Sequence, residues 1–219
     1  MKDEKALVIL SGGQDSTTCL YWALKEYKEV EAITFDYGQM HRNEIVSASK
    51  ICSMVKVPHE IVFIEGTLIG GTLLDKPVEG RGENIAPSWV PLRNALFLTI
   101  ASNRAIVKGV KTLVIGVNSR DYSGYPDCRI SFISAFEDMV FYGAEYPLLI
   151  EKPLINMTKK DIVLFAKGLL GCWEALAYTL TCYKGEYPPC GECAACKIRA
   201  KGFKEAGFPD PLIERSKNE

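Results

Sequence analysis

The sequence has 219 residues, 47% of them hydrophobic and 24% charged, so the chain can bury a sizeable core without disulfide staples. Its 26 basic and 27 acidic residues leave a net charge of −1, which excludes a bulk basic surface for wrapping DNA or RNA. No apolar run approaches the roughly 20 residues that span a bilayer. We therefore expect a cytoplasmic protein that has no direct nucleic-acid partner and no membrane partner.

The first third of the sequence predicts strands and helices in alternation. Residues 5–10 have the apolar, β-branched composition of a buried strand, and residues 17–26 have apolar side chains at helical spacing. The same patterns predict a strand at 29–38, a helix at 43–55 and a strand at 60–65. Because helices separate the strands, we expect parallel βαβ units in a three-layer, Rossmann-like α/β fold.

A long loop rich in glycine and proline follows at 66–92, as is typical of a lid, a binding loop or a disordered insertion. The elements then resume with a helix at 93–108, a strand at 112–117, an irregular segment at 118–129, a helix near 131–142, an extended piece at 147–154 and a helix from about 158. In that last helix Thr158 and Asp161 have the spacing of a capping box. We expect one α/β domain at 1–171 and a small C-terminal segment at 172–219.

The stretch "SGGQDST", which follows the first strand, predicts an anion site. Free backbone N–H groups at the start of a helix attract a phosphate, and the two glycines allow it to approach the backbone. The stretch is not a Walker A loop, and a plain strand–helix turn is the alternative. Asp15 would repel phosphates unless a divalent cation intervened, so it indicates bound Mg²⁺, or else it caps the helix.

Four of the eight cysteines are clustered in the C-terminal segment. Cys182, Cys190, Cys193 and Cys196 have the spacing C-x7-C-x2-C-x2-C. Four thiolates at such intervals can surround a tetrahedral Zn²⁺, and because no ligand position stays free the zinc would be structural. An iron–sulfur cluster and four unrelated cysteines are the alternatives.

Two segments follow strand ends, where α/β domains place their ligands. Their aromatic and carboxylate side chains suit a planar, purine-like base, and a turn filled with turn-forming residues is the alternative for each segment. The candidates for this pocket are Asp36, Tyr37, Gln39, Tyr122, Tyr125 and Asp127. Arg93, at a helix start, could bind a phosphate or a substrate carboxylate, and a surface ion pair is the alternative. Cys128 is a poor nucleophile candidate, because the chain holds only two histidines, His41 and His59, and neither is near Cys128 in sequence.

"SGGQDS" is similar to the SGGxDS signature of the PP-loop ATP pyrophosphatase (N-type) superfamily. Together with "FDYGQ", "VPLRN", "DYSGYPDCR", "TLTCY" and "CGECAACKIRAKGF", it resembles the QueC family of queuosine biosynthesis over nearly the whole chain. The resemblance implies an adenine nucleotide alpha hydrolase-like fold and an ATP-dependent C–N ligase that releases AMP and pyrophosphate. The implied reaction converts 7-carboxy-7-deazaguanine and ammonia to the nitrile preQ0, with one ATP activating the carboxylate and a second the amide.

The resemblance also implies site residues. Catalytic roles would fall to Asp15, Ser16 and Arg93, with Mg²⁺ bound alongside ATP and zinc bound by the four clustered cysteines. The implied ATP-binding residues are Leu10, Ser11, Gly12, Gly13, Gln14, Asp15, Ser16, Thr17, Thr18, Cys19 and Leu20. Family members of this kind tend to be homodimers, and we expect one here.

Two other hypotheses remain open. One is a different PP-loop enzyme, such as a tRNA-modifying ligase or sulfurtransferase, although the near-neutral charge and the short chain count against it. The other is a zinc-ribbon binding module with an inactive nucleotide domain, against which the intact SGGxDS loop argues.

Overall fold

The computed structural model describes residues 2–80, 82–118 and 124–218. The strands of this part of the chain are β1 (Lys2–Ile9), β2 (Tyr27–Asp36), β3 (His59–Phe63), β4 (Thr112–Val114) and β5 (Leu149–Glu151). The helices there are α1 (Gln14–Glu26), α2 (Asn43–Val55), α3 (Arg93–Val107), α4 (Ile130–Ala144), α5 (Lys159–Lys167), α6 (Cys172–Leu176), α7 (Ala194–Ala206) and α8 (Pro211–Ser216). A short 3-10 turn lies at Pro126–Cys128.

The five strands form one parallel sheet in the order β3-β2-β1-β4-β5, with β1 at its centre. The chain builds outward from β1 to β3 and then returns to the other side of β1 with β4. This reversal of direction leaves a crevice at the carboxyl ends of β1 and β4, where open α/β sheets bind their ligands.

Helices cover both faces of the sheet. Along β1, Ala6 and Val8 pack into a core shared with α1, whereas Leu7, which points to the opposite face, packs into a second core shared with α3 and α4. This alternation is that of a strand buried on both sides. The predicted three-layer α/β fold with a parallel sheet is therefore confirmed.

Some predicted boundaries shift. The first helix begins at Gln14 rather than at residue 17, because Gly13 is already its N-cap and the loop after β1 is short. The capping box at the start of α5 is confirmed, since Thr158 Oγ1 accepts a hydrogen bond from the Asp161 N–H at 3.2 Å and Asp161 accepts one from the Thr158 N–H at 3.0 Å.

The C-terminal segment packs on the main core. Cys172, Ala175 and Leu176 of α6 and Phe203 of α7 belong to the same apolar cluster as α1. The predicted boundary at residue 171 stays a prediction. In the part of the chain that the structure describes, no helix is both long and apolar enough to traverse a membrane.

Candidate active site

A cleft of about 350 Å³ opens at the carboxyl ends of the central strands. Leu10 after β1, Tyr37 after β2 and Gly116 after β4 line its floor, and the first turns of α1 and α3 line its sides. Residues of the C-terminal segment, Thr181 and Tyr183 among them, form the remaining wall. The cleft therefore lies where the strand order reverses.

The loop between β1 and α1 is held in shape by its own serines. Ser16 Oγ accepts a hydrogen bond from the Ser11 N–H at 3.1 Å and donates to the Gly13 carbonyl at 3.2 Å. Ser11 Oγ accepts a hydrogen bond from the Gly13 N–H at 3.2 Å. These contacts fix a tight turn directly in front of the positive end of α1, which is the geometry of an anion site.

Two glycines allow close contact between the backbone of this loop and neighbouring backbone segments. At Gly12 (φ +90°), an added Cβ would lie 2.1 Å from the Glu44 carbonyl oxygen and 2.8 Å from the Ala48 nitrogen. At Gly116 an added Cβ would lie 2.9 Å from the Ser16 nitrogen. All three contacts are shorter than real Cβ atoms make, so a side chain at either position would displace the loop.

The eleven predicted ATP-binding residues divide between the cleft and the core. Those on the cleft wall are Leu10, Ser11, Gly13, Gln14, Asp15 and Ser16. Gly12 is buried within the loop, and Thr17, Thr18, Cys19 and Leu20 are fully buried along α1. Cys19 Sγ lies 3.5 Å from the Ile115 carbonyl, and burial raises the pKa of its thiol well above the usual value. The side chains of these four α1 residues do not line the cleft, because only the N-terminal residues of the helix, up to Ser16, face it.

Asp15 contacts a lysine that sequence reasoning missed. Its Oδ2 pairs with Nζ of Lys159, the first residue of α5, and Lys159 lines the cleft as well. Oδ1 of Asp15 is buried without a hydrogen-bond partner among the described residues. One sequence signal could have indicated Lys159. Lys159 and Lys160 both lie in the first turn of a helix, where a positive charge interacts unfavourably with the helix dipole, so another interaction is needed to explain them.

Arg93 and Tyr37 form another part of the cleft wall. Arg93 Nη1 donates to the Tyr37 hydroxyl at 3.3 Å, and its guanidinium lies 5.8 Å from the Tyr37 ring centre and 5.9 Å from that of Phe97. Nε of Arg93 is buried without a partner among the described residues. The wall thus offers a fixed cation and aromatic faces to a ligand.

Three other pocket candidates have structural contacts. Gln39 lines the cleft, but its side-chain oxygen accepts from the Tyr37 N–H at 2.9 Å and braces the turn after β2. Asp36 accepts from the Gly38 N–H at 3.2 Å, and Asp127 accepts from the Asn94 N–H at 3.2 Å at the start of α3. Neither carboxylate is among the side chains that line the cleft. Tyr122 lies outside the described residues.

Tyr125 connects the cleft to the 66–92 loop. Its hydroxyl lies within hydrogen-bond distance of Ser88 Oγ and 3.4 Å from the hydroxyl of Tyr183. Leu73, from the same loop, lines the cleft. Sequence reasoning left the role of this loop open and missed Tyr183, because neither contact has a local sequence signal.

Cys128 lies in the cleft wall as a protonated thiol. Burial, with the nearby Asp127 carboxylate, raises the pKa of its thiol to about 12. Asn94 Nδ2 lies 3.5 Å from its sulfur. This environment agrees with the prediction that Cys128 is a poor nucleophile.

The four clustered cysteines of the C-terminal segment come together. The sulfurs of Cys182, Cys190, Cys193 and Cys196 all lie within 4.8 Å of one another. The Cys193 N–H donates to Cys190 Sγ at 3.4 Å, and the Cys196 N–H donates to Cys193 Sγ at 3.5 Å. Backbone hydrogen bonds from Cys193 and Glu192 lower the pKa of the Cys190 thiol to about 7, which favours the thiolate that binds metals. The arrangement is a candidate metal site.

The parallel sheet, with a candidate anion-binding loop at the end of its central strand, defines an α/β fold of the PP-loop type. A 4-thiouridine synthetase solved as an RNA complex with bound ATP matches with a TM-score of 0.57 and 18% sequence identity, over 97% of this chain and 53% of that chain. This chain thus spans about half of that synthetase, and at such low identity the likeness shows the fold alone.

Sequence comparison shows the family. Residues 5–207 match the family described as queuosine biosynthesis protein QueC, and the chain belongs to it. Proteins named 7-cyano-7-deazaguanine synthase are similar over nearly their whole length. One from Chromobacterium violaceum is 49% identical over 99% of this chain and 96% of its own. Others, from Laribacter hongkongensis and Oceanobacillus iheyensis, are 48% and 40% identical over 97% of this chain, and over 95% and 99% of their own. The predicted family membership is confirmed.

Proposed function

We propose that this protein is a 7-cyano-7-deazaguanine synthase, an ATP-dependent ligase of queuosine biosynthesis. It would convert 7-carboxy-7-deazaguanine and ammonia to 7-cyano-7-deazaguanine, with release of AMP and pyrophosphate at each of two activations. The observation that carries the proposal is one cleft lined by both the anion-binding loop and the Arg93–Tyr37 wall. Adenylation turns a carboxylate or amide oxygen into a good leaving group, which both C–N bond formation and nitrile formation require.

ATP would bind with its phosphates at the loop. The backbone N–H groups of Gln14, Asp15 and Ser16, in the first turn of α1, have no intrahelical partner and would donate to the phosphates, and Lys159 supplies a cation beside Asp15. Mg²⁺ fits Asp15, because the unpartnered buried Oδ1 is a hard oxygen ligand beside the phosphate position. The ion would neutralise phosphate charge. Asp15, Ser16 and Arg93 are our proposed catalytic residues.

The deazapurine would occupy the aromatic wall. The rings of Tyr37, Phe97 and Tyr125 line the cleft around Arg93, whose unpartnered Nε suits a carboxylate or an adenylate phosphate. We further propose ammonia as the nitrogen donor.

Zinc fits the four cysteines better than an iron–sulfur cluster does. A Zn–S bond of about 2.3 Å places two sulfurs of a tetrahedron roughly 3.8 Å apart. The sulfurs of Cys190 and Cys196 lie 3.9 Å apart. In a [4Fe–4S] cluster the four cysteines bind separate iron atoms, and in a [2Fe–2S] cluster they divide between two, so either cluster would spread some of the sulfurs beyond the 4.8 Å within which all four lie. We propose that each chain binds one structural zinc. We also propose that residues 1–171 form an ATP-binding domain and residues 172–219 a C-terminal zinc-binding segment. The protein would form a homodimer and would be located in the cytoplasm.

Mass spectrometry of the product tests the proposal. Purified protein with 7-carboxy-7-deazaguanine, ATP, Mg²⁺ and ammonium should yield the nitrile, and omission of ammonium should abolish it. If neither AMP nor pyrophosphate forms, the enzyme hypothesis fails and an inactive binding module gains support. Salt-sensitive binding of bulk tRNA would instead favour a tRNA-modifying PP-loop enzyme.

A further inference from the structure

One corner of the cleft has no role in the proposed binding of ATP and of the deazapurine. His41 and Glu44 line it beside Tyr183. Nε2 of His41 lies 3.4 Å from Oε2 of Glu44. His41 is only 3% exposed, and its Nδ1 is buried without a hydrogen-bond partner among the described residues. The carboxylate is thus held in the cleft wall by a buried imidazole.

The surroundings of Glu44 suit a small cation. The ring centre of Tyr183 lies 6.2 Å from that of His41, and Glu44 lies near enough to Tyr37 to contribute to the pKa of its hydroxyl, which burial raises above the usual value. Aromatic faces attract cations, and a carboxylate supplies the charge. Of the basic side chains near this corner, Arg42 pairs with Glu65, and Lys159 with Asp15. Arg93 donates to the Tyr37 hydroxyl. Among the described residues, His41 is therefore the basic side chain that pairs with the carboxylate of Glu44.

The chemistry requires a group of this kind. Ammonium predominates over ammonia at neutral pH, and it must lose a proton before its lone pair can form the new C–N bond to the adenylated carboxyl carbon. The C–O bond to AMP then breaks, AMP leaves with the electron pair, and the nitrogen gives up a second proton to reach the amide. A site that attracts the predominant ammonium ion and accepts its first proton would therefore supply the nucleophile within the cleft.

We propose that Glu44, positioned by His41, forms the ammonium site of the cleft and accepts the first of these protons, which then passes to solvent. The proposal rests on the proposed function and extends it to a residue with no assigned role. Glu44 is the catalytic residue, since it touches the nucleophile, and His41 is a positioning residue because it acts through Glu44.

Separate measurement of the nitrogen-dependent step tests the assignment. In Glu44→Gln, exchange of pyrophosphate into ATP, driven by the carboxylate substrate without ammonium, should equal that of wild type. The KM for ammonium should rise about tenfold or more, as expected when a charge-assisted contact is lost. Hydroxylamine, which is neutral at neutral pH, should form the hydroxamate at near the wild-type rate. A merely structural defect would slow both nucleophiles.

Matched variants complete the design. Glu65→Gln removes a carboxylate that pairs with Arg42 on the surface and should leave the KM for ammonium unchanged. His41→Gln should raise that KM in the same direction as Glu44→Gln, and it serves as the second variant if Glu44→Gln does not fold. The ammonium site would be overturned if the KM for ammonium were unchanged in both Glu44→Gln and His41→Gln. It would also be overturned if these variants lost pyrophosphate exchange together with product formation. Absence of exchange in wild type would instead overturn the proposed function, and the ammonium site with it.

Discussion

Replacement of Arg199 by methionine should be strongly destabilising. Arg199, on α7, is 5% exposed, and its guanidinium donates from Nε to Asp210 at 2.6 Å and from Nη2 to the same carboxylate at 2.8 Å. It also donates to the Thr179 hydroxyl at 2.7 Å and to the Leu176 carbonyl at 3.2 Å. One side chain therefore joins the end of α6, the middle of α7 and the start of α8.

The magnitude follows from what the substitution leaves behind. Methionine retains the apolar stem but leaves the carboxylate of Asp210, 9% exposed, without its cation. Breaking a buried pair by removing one partner costs about 3–5 kcal/mol. In a domain of about this size, 1 kcal/mol corresponds to roughly 2–4 °C, so the melting temperature should fall by about 6–20 °C.

Urea unfolding and calorimetry of Arg199→Met measure this loss. The matched control is Lys201→Met, two residues along the same helix, because Lys201 is 71% exposed and pairs with Glu205 at 3.7 Å. An exposed helical pair of that kind contributes about 0.3–0.5 kcal/mol. If Arg199→Met were no more destabilising than Lys201→Met, the idea that this buried pair fastens the C-terminal segment would be refuted.

Three further predictions address the loop and the cysteines. Asp15→Asn should abolish turnover and leave the protein folded, since it removes a metal-ligating charge but keeps the shape of the side chain and an oxygen that can accept from Lys159; wild-type activity would rule out that role. Gly12→Ala should raise the KM for ATP and destabilise the fold by about 1–2 kcal/mol or more from the positive φ alone, and a functional loop with normal stability would contradict the close contact with α2. Cys193→Ala, or chelation of wild type, should release zinc and lower the melting temperature, with Cys128→Ala as the control that keeps its metal. Retained zinc and stability in Cys193→Ala would contradict a structural site.

Much of the fold was predictable because its signals are local. Apolar runs between glycines predicted the strands, and helical spacing predicted the helices between them, so the parallel sheet followed from their order. The four cysteines were predictable as a group because ligand spacing is a short-range pattern. The start of α1 was placed three residues late, since Gly13 rather than a hydroxyl side chain is the N-cap.

Contacts between distant parts of the chain were not predictable. Lys159 reaches Asp15 across 144 residues, and Tyr183 reaches Tyr125 across 58. Asp127 was expected in the pocket on the strength of its neighbours, yet its carboxylate accepts a backbone hydrogen bond at the start of α3. Sequence pattern selects candidate residues, but which side of a turn a side chain takes depends on packing that the pattern does not encode.

The cysteine cluster has a closer relation to the cleft than its place near the C-terminus suggests. Cys182 lies between Thr181 and Tyr183, both of which line the cleft. The Leu180 N–H donates to the Gly12 carbonyl at 3.1 Å, so the segment that leads into the cluster is hydrogen-bonded to the anion-binding loop. A metal that fixes these sulfurs would therefore also fix one wall of the cleft. Zinc bound there would have only a structural role at its ligands, and it would nevertheless determine the shape of the site that we propose for ATP and its co-substrate.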